Sequence, residues 1–164
     1  MPELETIERA QRDKAEGKSP STQAGEFVRE EIHHVREGKH GARSVQQAIA
    51  IGLSKARRAG VKLGVPKKGR ASKRVRRQAK RDLAKGRARH RTTSSTRSRG
   101  VMKALRRETG GSASKAALSR QTRRAARTRG RASLHDAAMK AVRTKGKRGL
   151  QRAGRKAART RYGH

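Results

Sequence analysis

Apolar positions in the first sixty residues recur at helical rather than strand spacing. Leu4, Ile7 and Ala10 share one side of a short helix over residues 3–16, and the stretch from Gly17 to Ser21 interrupts it, with Pro20 suited to open the next helix. From Thr22 to Glu37, Ala24, Phe27, Val28, Ile32 and Val35 return every three or four residues, and charged residues fill the opposite face. Gly38-Lys39-His40-Gly41 closes this helix as a loop. Ser44–Ala59 is the next helix, with Val45, Ile49, Gly52, Leu53 and Ala56 as its stripe. Ser44 and Gln47 fit a capping box, in which each side chain satisfies a backbone N–H near the first turn. Lys55, Arg57 and Arg58 place cations in the last turn, and Gly60 is a C-terminal stop. The segment Val61 to Pro66 is able to lie back over the pair as apolar cover. The pattern predicts a helical hairpin over residues 22–65, completed by the first helix or by a second copy of the chain.

Beyond Pro66 the apolar stripe thins. One helix is expected over Lys73–Lys85, with only Val75, Ala79, Leu83 and Ala84 on its apolar side. The polar run Thr92–Ser98 reads as a linker, and another short helix is expected over Val101–Glu108. The last third repeats without gaps at a period of 16: KAALSRQTRRAARTRG (115–130), RASLHDAAMKAVRTKG (131–146) and KRGLQRAGRKAARTRY (147–162). Leu118/Leu134/Leu150, Ala125/Ala141/Ala157, Arg127/Arg143/Arg159 and Thr128/Thr144/Thr160 fall in register. A fixed period with four aligned columns indicates duplication of a helical unit rather than compositional drift. Three tethered copies of one unit raise avidity without any new contact. The chain thus divides into an acidic N-terminal segment (1–21), the hairpin (22–65), a basic linker region with short helices (66–114) and the repeats (115–162). The expected fold class is all-α: a small helical hairpin carrying a long basic tail of short helices, largely disordered when free.

Charge sharpens this division. Residues 1–40 hold nine acids against seven bases, whereas residues 41–164 hold 40 of the 47 Lys and Arg against Asp82, Glu108 and Asp136 alone. Such a stretch repels itself and calls for a polyanion, and phosphate backbones are the natural counter-charge. Arg outnumbers Lys by 31 to 16, which favours bidentate phosphate contacts. The candidate nucleic-acid-binding residues are Arg57, Arg58, Lys67, Lys68, Arg70, Lys73, Arg74, Arg76, Arg77, Lys80 and Arg81, followed by Arg123, Arg124, Arg127, Arg129, Arg131, Lys140, Arg143, Lys145, Arg155, Lys156, Arg159 and Arg161 in the repeats.

Other chemistries are poorly supplied. With no Cys there is no disulfide, CxxC metal site or thiol nucleophile. Phe27 and Tyr162 are the only aromatics, so a base-stacking platform for single strands is lacking, although structured RNA can still be gripped by its phosphates. The two helices around residues 38–43 differ from a helix-turn-helix in their longer turn and in offering only Gln46 and Gln47 as base readers. Arg129-Gly130-Arg131 lacks the proline that would follow in an AT-hook. His33, His34 and His40 lie near Glu30, Glu31 and Glu37, and His33 and Glu37 are four apart, but no second ligand pair follows, so the group reads as a mixed polar helix end, with no metal and no cofactor expected. No phosphate-binding loop or nucleophile elbow is present, and no enzymatic activity is expected. The acidic start has no apolar core of a signal sequence, and no run approaches about 20 apolar residues, so a soluble, cytoplasmic protein located at the nucleoid is expected, without membrane contact.

The segment EFVREEIHHVREGKHGARSVQQAIAIGLSKARRAG (26–60) resembles an uncharacterised domain family of small basic bacterial proteins, marked by a GKHG turn (Gly38–Gly41) and a QAIAIGLSKARRAG helix (Gln47–Gly60). The resemblance implies a bacterial source and carries no activity with it. In composition alone the tail resembles bacterial linker-histone-like proteins, from which it departs in preferring Arg to Lys. These observations lead to an expected sequence-tolerant DNA-binding, histone-like protein acting on the phosphate backbone of duplex DNA, with a possible homodimer contact through residues 22–60. Two alternatives stand beside it: an accessory protein on ribosomal or other structured RNA, and a protein-interaction module tethered to DNA by its tail. The acidic N-terminus is expected to fold back on the basic tail in the free protein.

Overall fold

In the computed structural model, residues 2–88, 94–108 and 110–162 are described. The chain is all-helical, with no strand among the described residues, and it forms two compact units, residues 1–118 and 119–164. No described helix is long and apolar enough to cross a membrane.

The first unit begins with α1 (Leu4–Ala15), α2 (Pro20–Arg36) and α3 (Val45–Arg58). Their boundaries follow the local chemistry. Pro20 occupies the start of α2. Ser44 caps α3 by accepting from the Gln47 backbone N–H at 3.2 Å. Gln47 reciprocates one residue earlier than a capping box requires, accepting from the Arg43 N–H at 2.9 Å rather than from Ser44. Gly60 ends α3 at φ +90°, a conformation that costs other residues a Cβ clash.

α2 packs against α1 and α3, and α4 (Lys73–Arg87) packs against α3. Two small apolar clusters result. One joins Ala10, Ala24, Phe27, Ala56 and Val61, with Ile7, Leu53 and Leu63 at its margin. The other joins Ile32, Val35, Ala42, Ala48 and Ala113, with Val28 and Leu118 beside it. Among the described residues Phe27 is the largest fully buried side chain and most of the others in the core are small, so much of the packing rests on close backbone approach. At Gly52 a Cβ would stand 2.7 Å from Val28 Cα, and at Gly86 it would collide with the Arg57 carbonyl. The α2–α3 and α3–α4 contacts therefore each need a glycine.

The flanking segments can now be placed. The acidic N-terminal segment is tied into the fold, since α1 buries Thr6, Ala10 and Asp13 and packs on α2, which completes the hairpin with the first helix. The region after Pro66 is no mere linker, since α4 docks on α3 and the short 3₁₀ helix Gly110–Ala113 docks on α2 and α3. The polar run expected as a linker instead starts a helix. Ser94 accepts from the Arg97 N–H at 3.5 Å, and α5 (Ser95–Arg106) follows, while Thr92 and Thr93 lie outside the described residues. A cap outweighed composition at that point.

The last helix, α6 (Lys115–Tyr162), is broken at Gly130 (φ +75°, ψ +164°) and Gly146 (φ +61°, ψ +175°). These dihedrals are open to glycine and to almost no other residue. The breaks are 16 residues apart and fall at the ends of the first two sequence repeats. Just before each repeat end, a threonine hydroxyl donates back to the carbonyl four residues earlier: Thr128 to Arg124, Thr144 to Lys140 and Thr160 to Lys156, at 2.9–3.0 Å. The duplication is thus structural as well as textual.

Candidate nucleic-acid interface

The expected basic residues fall into three settings. At the end of α3, Arg57 is buried and its guanidinium lies against backbone carbonyls, at 3.3 Å from Leu63 O and 3.4 Å from Gly64 O. Burial lowers its pKa, against the pull of Asp82. Arg57 is therefore a brace for the Val61–Pro66 segment, and its expected phosphate contact is not available in this arrangement. Arg58 is half-exposed and donates to the fully buried Asp82 at 2.8 Å, with Gln78 Nε2 donating to the same oxygen at 3.1 Å. Neither arginine is a free cation.

The second setting is α4 and the loop before it. Ala79 and Asp82 face α3, with Arg76 turned inward to donate to the Pro66 carbonyl at 3.1 Å. Lys73, Arg74, Arg77, Lys80 and Arg81 occupy the exposed remainder, and Lys67, Lys68 and Arg70 are exposed in the loop. Helical spacing gathers the α4 set into one outward basic face. Ser72 caps the helix by accepting from the Val75 N–H at 3.3 Å, fixing where that face begins.

The third setting is α6. Arg123, Arg124, Arg127, Arg129, Arg131, Lys140, Arg143, Lys145, Arg155, Lys156, Arg159 and Arg161 are all exposed. Among the described residues, none of them forms an ion pair, and Asp136 is the single acid in the helix. The leucine column is not uniform. Leu118 packs against the first unit's second cluster, whereas Leu134 is 42% exposed.

The feature that sequence reasoning missed is a charged cluster inside the first unit. Glu31 is fully buried between α2 and α3, with Lys55 Nζ at 2.8 Å from its Oε2 and His40 Nε2 at 3.1 Å from its Oε1. Lys55 also donates to Glu30 at 2.8 Å. Glu30 accepts from the Glu3 N–H at 3.2 Å, and Glu3 in turn accepts from His34 at 2.8 Å and Lys39 at 3.2 Å. Burial pulls the Lys55 pKa down, but the contacts with Glu30 and Glu31 outweigh it, so the net displacement is upward. The same balance, desolvation against Lys55, leaves Glu30 below its ordinary value. Glu3 is lowered by its bonds from His34 and Lys39. A signal was present in the sequence: Glu31 stands in the apolar stripe itself, four residues after Phe27 and four before Val35.

Residues 13–69, which hold the hairpin, the GKHG turn and every member of this cluster but Glu3, match a family of unknown function (DUF6496). No curated protein and no solved structure matches the chain.

Proposed function

We propose that the protein is a non-enzymatic, sequence-tolerant DNA-binding protein of the histone-like, nucleoid-associated kind, which grips the phosphate backbone of duplex DNA. The observation that carries this reading is the contrast in α6. Its bases are exposed, lack carboxylate partners among the described residues, and recur with the helix breaks. Cations with no internal use, repeated at fixed spacing, suit a charged lattice. The outward face of α4 adds a second basic surface on the folded unit. With only Gln46 and Gln47 as base readers at a helix start and no set of stacking aromatics, contact with phosphate positions the protein without specifying sequence.

A salt titration of the full chain on random duplex DNA tests the proposal, with structured RNA of equal length alongside. For about 10 neutralised phosphates, log K falls with log salt at a slope of about −9. A slope shallower than about −3, or clear preference for the RNA at every salt, overturns the DNA reading.

A further inference from the structure

We propose that Glu31, His34 and His40 form a binding site for a divalent transition-metal ion of the zinc class. The three residues come from the body of α2 and from the turn after it, and one ligand atom from each lies within 4.8 Å of the others. Two imidazoles and a carboxylate are a donor set suited to zinc. Ligand atoms about a tetrahedral zinc stand roughly 3.3 Å apart, given bonds of about 2.0–2.1 Å. Glu31 Oε1 and His40 Nε2 already meet this spacing at 3.1 Å.

Hydrogen-bond bookkeeping points the same way. The Gly41 carbonyl can only accept, so the 3.1 Å contact with His40 commits Nδ1–H and turns the other ring nitrogen toward Glu31. The Glu3 carboxylate likewise commits Nε2–H of His34 at 2.8 Å and leaves its Nδ1 as the lone-pair nitrogen. An oxygen acceptor behind each imidazole is the arrangement that orients metal-ligating histidines. Meanwhile Glu31 Oε1 is buried and receives no hydrogen bond. A buried, unbonded carboxylate oxygen 3.1 Å from His40 Nε2 calls for a cation between them, either the second proton of an imidazolium or a metal ion.

The surroundings accept the added charge. Glu3, Glu30 and Glu31 outnumber Lys39 and Lys55 in this cluster, leaving it short of positive charge. His34 also borders a shallow cleft of about 190 Å³, shared with Glu3, Glu30 and Lys39, which offers an entry path.

The test uses the full chain free of nucleic acid, with Zn²⁺ or Co²⁺ alone as the probe. One equivalent of Zn²⁺ is expected to bind and to raise the melting temperature of the first unit. Co²⁺ is expected to give visible absorption of a low-coordinate site. His34→Gln and His40→Gln should each weaken Zn²⁺ at least tenfold, and the exposed His33→Gln should not. In case the His40 variant fails to fold, imidazole NMR on the unaltered protein reads the same point: Zn²⁺ should shift the His34 and His40 ring nitrogens. Absence of a melting shift together with a silent Co²⁺ spectrum, or shifts confined to other histidines, overturns the site.

Discussion

The two units treat the same material, alanine-rich helix studded with arginine, in opposite ways. In the first, every acid except Glu8 has a basic partner within ion-pair distance among the described residues, and the scarce acids after residue 40 are placed with care: Asp82 holds Arg58 and Glu108 holds Arg43. In the second, among the described residues, the bases have no such partner and the apolar residues remain largely exposed. Helix propensity is similar in both, so tertiary burial is what separates a fold from an extended basic helix.

The largest test of that difference is a pair of truncations. Phe27→Ala should destabilise the first unit by about 3–5 kcal/mol, enough to abolish its cooperative melt. Leu134→Ala, in the exposed column of the repeats, should change that melt by less than about 0.5 kcal/mol. Equal effects in thermal denaturation would erase the distinction.

Next in size is Lys55→Met, which strands two buried carboxylates and should cost about 3 kcal/mol. It should also flatten the pH profile. Glu30 has a depressed pKa, so its contribution is present above the ordinary value of 4.5 and disappears as pH falls through the lower folded value. Lys55 has a raised pKa, so its contribution holds below 10.5 and disappears as pH climbs past the higher folded value. Melting curves across pH should show a plateau between those limits in the native protein and weaker limbs in the variant, since Glu3 and Lys39 keep their own.

The smallest effect belongs to Ser44→Ala. Loss of one N-cap should cost about 1 kcal/mol in urea titration of the first unit and leave the salt slope of DNA binding unchanged.

Helices α2 and α3 were legible in the sequence because their ends carry strong local chemistry: Pro20, Ser44 and Gly60. The 16-residue unit was legible because Gly130 and Gly146 hold conformations that only glycine adopts readily. What escaped were the consequences of tertiary contact. Arg57 looked like a surface cation until the Val61–Pro66 segment folded over it. Glu31 looked like part of a polar helix end because its partner Lys55 is 24 positions away in the sequence. Residues 95–98 looked like linker because their composition is polar, whereas the Ser94 cap starts a helix there. Of the candidate interface, the exposure of the α4 and α6 bases followed from their spacing and the thin apolar stripe; that Arg57, Arg58 and Arg76 are already spent on the fold did not.

The glycine breaks in α6 bear on cooperativity. A helix propagates cheaply once begun, but isolated helices shorter than about 12–15 residues are marginal in water. Gly130 and Gly146 cut the repeats into runs near that limit, so order gained in one run does not spread into the next. If the tail binds DNA as proposed, it should respond in increments, one run for each stretch of polyanion engaged, as a rheostat where an unbroken helix of the same length would act as a switch.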